Sequence, residues 1–481
     1  MSTLKKLLEQ KVLTILSLIS FVLLLSCHKS ETSSTDLTNT EDPTSVVKTD
    51  GLAFSEILGR PTNSSITINI LFTQQAEVYW ETGTSSGNYS GKTATSTATK
   101  NLPLEVDLTN LTADTKYFYR VRYRLSGAAT FLAGPEYSFH TPRATGSTFT
   151  FAIEADPHLD ENSDTTSYAL TLKNILSKSP DFLLDLGDTF FSEKQATKTQ
   201  AVVTSRHLLL RSYFDNTCHS VPLYLVLGNH EGEAGWSLDG TSTSLPIMAS
   251  NTRNLYFPNP APNTFYSGNS KSETNVGLRK NYYAFEWGNA LIVVLDPYWY
   301  TTAKPGWGWT LGTDQYSWFK STMTASKAKY KFIFCHNLVG GNGNDARGGT
   351  EFVDLFEQGG NNLDGTAGFD KYRPGWGKPI HTIMKENKAT IYFHGHDHFY
   401  GKQDKDGIVY QECPQPSNRN INNTSAADYG YKEGVILPGR GYLLVTVSTS
   451  NVKVEYIKTL LPAEEGANGK NGDIAASYTI N

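Results

Sequence analysis

Two hydrophobic periodicities divide the chain. From about Gly51 to Pro142 apolar and polar residues alternate: Ile66, Ile68, Ile70 and Phe72 in one run, Tyr117, Tyr119, Val121 and Tyr123 in another, then Tyr137 and Phe139. A period of two predicts strands with one buried face, and the Gly, Asn, Ser and Thr clusters between the runs predict turns. A small all-β sandwich over residues 51–143 follows. After residue 147 the pattern changes to short runs that are apolar almost throughout: Phe149-Thr150-Phe151-Ala152-Ile153, Phe182-Leu183-Leu184-Asp185-Leu186, Leu223-Tyr224-Leu225-Val226-Leu227, Lys331-Phe332-Ile333-Phe334-Cys335 and Thr390-Ile391-Tyr392-Phe393. Such runs predict strands covered on both faces. Between them Tyr168, Leu172, Ile175 and Leu176, then Leu208 to Phe214, then Tyr316 and Phe319 recur at helical spacing. Residues 442–447 and 452–457 read as a closing hairpin, and the polar, Gly-rich stretch 461–481 reads as a fraying tail.

The chemistry sits where the buried runs end. Asp156-Pro157-His158 follows the first, Gly187-Asp188 the second, Gly228-Asn229-His230-Glu231 the third, His336 the fourth and Gly395-His396-Asp397-His398 the fifth. Ligand sites in α/β sheets gather outside the carboxyl ends of strands. Two carboxylates, an amide oxygen and several imidazoles converging there are what a pair of hard-to-borderline cations requires. Two cations about 3.5–4 Å apart clamp a phosphoryl group and acidify a water, giving a hydroxide nucleophile for in-line attack.

The order of these strings resembles the signature of the calcineurin-like metallophosphoesterases: D-x-H, G-D, G-N-H-E, a His, and G-H-x-H. The resemblance runs from Phe149 to about Lys458. It implies an αββα sandwich, two mixed β-sheets packed face to face and flanked by helices, over residues 147–460. It also implies that Asp156, His158, Asp188 and His398 hold one metal, and that Asp188, Asn229, His336 and His396 hold the other, Asp188 bridging. His230 would face the substrate as general acid or charge stabiliser, a role suited to an imidazole. The metals would be Fe, Zn or Mn.

Residues 108–119 are similar to the tyrosine-corner segment of fibronectin type III domains, and especially to the domain preceding purple acid phosphatase catalytic domains. Purple acid phosphatases place a metal-ligating Tyr three residues after the Asp of the G-D string. That position here is Phe191, which cannot ligate, and His158 fills the vacancy, so a colourless site is expected.

Residues 1–27 read as a leader: Lys5, Lys6 and Lys11, an apolar core from Val12 to Ser26, then Leu24-Leu25-Ser26-Cys27, which resembles the bacterial lipobox. Lipidation of Cys27 would anchor an exported protein in the cell envelope, periplasmic or surface-facing, with residues 28–50 as a flexible tether. A net charge of −5, from 42 basic and 47 acidic residues, gives no basic surface for nucleic acid. Cys335 belongs to a core strand, whereas Cys218 and Cys413 are able to pair in an exported protein.

Long irregular inserts after Glu231, Asp296 and His336 carry Trp236, Trp299, Trp307, Trp309 and Trp376, candidates for a cleft wall, and Arg253, Arg279, Arg347 and Arg373, candidates for a phosphate grip. His394 is a candidate support for the last motif. These readings favour an exported phosphomonoesterase acting on small phosphate esters. A phosphodiesterase or nucleotidase on the same metal core, and a non-catalytic adhesion lipoprotein, are the alternatives.

Overall fold

The computed structural model describes residues 53–481. The leader, Cys27 and the tether lie outside the described residues. No helix among the described residues is long and apolar enough to cross a membrane.

The N-terminal alternation forms two facing sheets. One orders the strands Phe54–Gly59, Ser65–Phe72 and Leu104–Thr109. The other is built around Ala76–Gly83 and Lys116–Leu125. Ile66, Ile68, Ile70 and Phe72 meet Val78, Trp80, Tyr119 and Val121 in one core. The Tyr117 hydroxyl accepts from the Thr112 N–H at 2.8 Å, the corner expected of this segment.

The apolar runs beyond residue 147 form two mixed sheets. The first orders Leu223–Leu225, Phe182–Asp185, Phe149–Glu154, Gly441–Val447, Val452–Lys458 and Ile474–Ile480, the first three parallel. In the second, Ala290–Val294, Tyr330–Phe334, Ile391–His394 and Ile408–Glu412 run parallel at the centre of eight strands. The sheets meet through large rings: Phe151 lies 5.8 Å from Phe332, and Phe182 4.9 Å from Trp287. Helices Thr165–Lys178 and Gln200–Cys218 cover the outer face of the first sheet. Helices Thr313–Ala325 and Ile380–Glu386 cover that of the second. Burial on both faces explains why these runs lack alternation.

Three expectations need correction. Residues 461–481 are not a free tail: Ile474–Ile480 pairs antiparallel with Val452–Lys458 as an edge strand, placing Ala476, Tyr478 and Ile480 against the inter-sheet core. Tail composition hid that alternation. The insert after Glu231 contains the helix Leu245–Tyr256, started by Pro246 in its first turn. Cys218 and Cys413 do not pair; both are buried free thiols, in the outer and inter-sheet cores respectively.

The sandwich is locked to the part beyond residue 147 through buried polar groups. Arg211, fully buried in the helix Gln200–Cys218, donates to the Ser55 hydroxyl at 2.9 Å, the Asn69 side chain at 2.8 Å and the Tyr256 carbonyl. The Glu56 N–H donates to Asp215 at 2.7 Å, and the Tyr119 hydroxyl to the His219 carbonyl at 2.6 Å. Each of these groups would be costly to leave unmatched away from water, so the contact holds one orientation.

Candidate metal centre

Five of the parallel strands, Phe149–Glu154, Phe182–Asp185, Leu223–Leu225, Tyr330–Phe334 and Ile391–His394, are followed by turns that bring polar side chains to one common edge. Asp156, His158, Asp188, His396 and His398 all have positive φ, between 50° and 80°. Left-handed backbone at non-glycine residues is a strained state that clusters at functional sites. The turns are also crowded. A Cβ on Gly228 would lie 2.3 Å from Asp188 Oδ1, and one on Gly395 2.5 Å from Asp156 Oδ2, so only glycine fits at either point.

Two groups of donors result: Asp156, His158 and His398, and Asp188, His336 and His396. In the first, His158 Nε2 and His398 Nε2 stand 3.5 and 3.4 Å from Asp156 Oδ1. In the second, His336 Nε2 is 3.2 Å from Asp188 Oδ2. The same Asp188 oxygen is 3.5 Å from His158 Nε2, so it faces both groups. Metal–ligand bonds of about 2.0–2.2 Å set neighbouring donors roughly 3–3.5 Å apart. Asp156 Oδ1, His158 Nε2, Asn229 Oδ1, His336 Nε2 and His396 Nδ1 are all buried without a hydrogen-bond partner. Buried polar atoms are rarely left so. Five on one small surface fit ligand atoms for cations.

The opposite edge of each ring is held. His336 Nδ1 is 2.9 Å from the Leu186 carbonyl, and His396 Nε2 is 2.7 Å from the Asp345 carbonyl, which turns the other nitrogen of each toward the site. Asp156 Oδ2 accepts from the His396 N–H, and Asp188 Oδ1 from the His230 N–H, both at 2.8 Å. The Glu231 carboxylate collects the N–H groups of Asp188, Thr189 and Gly228. Glu412 accepts from the Asp397 and His398 N–H groups at 3.1 and 3.2 Å and sits 2.7 Å from His394 Nδ1, which places His394 behind the last motif.

Electrostatics agree with this arrangement. Burial raises the Asp156 and Asp188 carboxyls, but the His336 charge beside both, with His398 and His230, outweighs it and holds them well below the usual range. Burial lowers the His336 imidazole, yet the two carboxylates pull it up to about 9. The edge therefore carries a strong demand for positive charge.

The inserts sort themselves. Arg253 and Arg279 are fully buried on Glu233, and Arg279 also on Asp296 at 2.8 Å. Burial raises the Glu233 carboxyl, and the two guanidinium groups bring it down to about 2. Asp296 is thus a partner in an ion network that pins the insert. Arg373 is held by Glu357. Arg347 alone of the four reaches the site, donating to the His396 carbonyl at 2.6 Å and to Asp397 at 3.0 Å. Trp299 and Trp309 are buried, while Trp236 lines a recess of about 130 Å³ over Asn229, His230 and His396. Phe191 packs its ring 4.8 Å from His158 and 5.0 Å from His230, an apolar spacer at the position considered for Tyr.

Two residues escaped sequence reasoning. Glu193 Oε2 lies 3.1 Å from His230 Nδ1, and Lys304 enters the recess from the loop after Asp296. Neither belongs to a motif or a periodic run.

Face-to-face mixed sheets with buried carboxylate and imidazole donors at one edge define a metal-dependent phosphoester hydrolase. The family model described as calcineurin-like phosphoesterase matches residues 149–400, and the chain belongs to that family. Comparison with curated proteins gave no significant match. Among solved structures, that of PhoD aligns at 16% identity over 88% of this chain and 89% of its own, with a TM-score of 0.62. A purple acid phosphatase isolated from yellow lupin (Lupinus luteus) seeds aligns at 16% identity over 88% of this chain and 73% of its own, with a TM-score of 0.59. At these identities the likeness is one of fold.

Proposed function

We propose that Asp156, His158, Asp188, Asn229, His336, His396 and His398 hold two metal ions, Asp188 between them, and that the chain hydrolyses phosphomonoesters. The observation that carries this reading is the convergence of five unpartnered buried ligand atoms on one sheet edge. When bound, such cations supply Lewis-acid stabilisation of charge on the phosphoryl group and acidify a water for in-line attack.

The protein's own groups do the rest. Glu193 holds the His230 ring by its Nδ1, and Nε2 accepts from the Asn229 Nδ2 at 3.1 Å, with the residue bordering the recess. As the imidazolium, held by Glu193 at Nδ1 and with the Asn229 contact at Nε2 exchanged for the ester, His230 gives its Nε2 proton to the departing oxygen, where negative charge develops, and is left as neutral imidazole. Lys194, Lys304 and Arg347 border the recess. Glu193, spent on His230, and Asp345 border it too, and the remaining surplus of positive charge suits the dianion of a monoester better than the monoanion of a diester.

Exhaustive chelation is expected to abolish hydrolysis of p-nitrophenyl phosphate, and addition of Zn, Mn or Fe(II) to restore it without a visible charge-transfer band. Bis(p-nitrophenyl) phosphate should be the poorer substrate. Activity undiminished after chelation would end the metal reading, and faster diester turnover would end the monoester one.

The leader supports a second element, export and lipid anchoring through Cys27. Cys27→Ser is expected to move the protein from the membrane fraction to the soluble fraction of its host. An unaltered membrane fraction would count against the anchor.

A further inference from the structure

The recess over the metal donors has a specific outer wall. Its floor is Asn229, His230 and His396, and Trp236 supplies its aromatic side. One side of that indole is taken: the Lys304 ammonium lies 4.3 Å from the Trp236 ring centroid and 5.2 Å from that of Trp309. The two indoles themselves meet edge to face at 5.6 Å. Cation–π contact with two rings holds the lysine in place before any ligand arrives. Among the described residues, its nearest carboxylate is Asp345 Oδ1 at 4.0 Å, beyond hydrogen-bond reach. The ammonium therefore keeps donors available toward the recess. Arg347 differs, since its Nη1 is engaged by His396 and Asp397. Glu193, the other nearby acid, is engaged with His230.

These features bear on what the leaving portion of the substrate looks like. A nucleobase would need an open indole or phenyl face to stack on, and Trp236, which alone among the residues bordering the recess carries one, has the Lys304 ammonium over one side. At about 130 Å³ the recess is also well below the roughly 300–1,000 Å³ of sites that enclose larger ligands. A compact leaving portion fits, and a fixed ammonium on its far side favours a negative charge there.

Resting on the phosphomonoesterase reading, we propose that Lys304 is a specificity-determining residue. It receives a second anionic group on a small leaving portion, so the substrate class is compact phosphomonoesters of anionic alcohols.

The test uses two esters that differ in one group, 3-phosphoglycerate, with a carboxylate, and glycerol 3-phosphate, with a hydroxymethyl. The metal-loaded full-length protein should show the higher kcat/KM for 3-phosphoglycerate. In Lys304→Met the ratio of the two kcat/KM values should fall about tenfold, chiefly through KM for the carboxylated ester, and Lys304→Arg should recover part of it. Metal content and thermal midpoint of each variant establish that the fold and the centre persist. No preference in the wild type, or an unchanged ratio in Lys304→Met, would overturn the assignment while leaving the monoesterase reading in place. Hydrolysis of neither ester while p-nitrophenyl phosphate is turned over would overturn the assignment alone, and turnover of none of the three at any metal composition would overturn both.

Discussion

Asp188→Asn is expected to strip the protein of metal and to lower phosphoester turnover about 10³-fold, or ~4 kcal/mol of barrier, with the fold retained. One oxygen of this carboxylate faces donors of both groups, His158 Nε2 at 3.5 Å and His336 Nε2 at 3.2 Å, and the residue is almost fully buried. Asp156 Oδ1 also faces His336 Nε2, but at 3.7 Å, so Asp188 makes the closer approach across the two groups and loss of its charge weakens two cations at once. The substitution is mild structurally. The other oxygen accepts from the His230 N–H at 2.8 Å, and an amide oxygen accepts equally well. Glu231 still collects the Asp188 and Thr189 N–H groups and keeps the turn closed. Elemental analysis of the purified variant, with circular dichroism and a p-nitrophenyl phosphate assay, checks each part. Full metal content with full turnover would remove Asp188 from the bridging position.

His230→Ala separates chemistry from metal binding. Turnover should fall about 10²- to 10⁴-fold, the usual worth of a positioned acid or base, while metal content stays at the wild-type level. The reason lies in which atoms each function uses. His230 touches the metal donors twice: its backbone N–H donates to Asp188, a bond that alanine retains, and its ring Nε2 accepts from the Asn229 Nδ2, which leaves the Asn229 Oδ1 free to ligate when the ring is removed. The ring otherwise spans from Glu193 to the recess. The Glu193 carboxylate left behind is 28% exposed, so water can solvate it and the fold bears little cost. A substrate with a better leaving group, p-nitrophenyl rather than alkyl, should lose less rate, because it needs less help from a proton donor. Equal losses on both would point to charge stabilisation of the phosphoryl group rather than proton donation. Undiminished activity on both would take His230 out of the mechanism.

Much of this centre is legible in the chain because its parts are local. Each donor follows a buried strand within a few residues, and the apolar run, the glycine and the ligand occupy one short window. Asp156, Asp188 and Asn229 need only a parallel sheet to bring them together, and continuous apolarity announces that sheet. The Phe191 substitution is equally local, three positions after Asp188. The residues that shape the recess are not of this kind. Among Arg253, Arg279, Arg347 and Arg373, composition and spacing draw no distinction. Only the contacts show that two are consumed by Glu233, one by Glu357, and one reaches His396. Lys304 acquires its meaning from Trp236, nearly seventy residues earlier, and Glu193 from a ring in another loop.

The terminal strand shows the same limit from the other side. Ile474–Ile480 carries an alternation too weak to stand out in a polar, glycine-rich stretch, and it becomes a strand because Val452–Lys458 presents an open edge. By itself, then, the sequence determined the layers of buried strands and the order of their polar ends, since short-range periodicity and turn chemistry encode both. Tertiary structure decided which insert residues enter the recess, which arginines are spent on buried acids and where the last strand pairs. Those outcomes depend on contacts between segments far apart in the chain, and no local pattern records them.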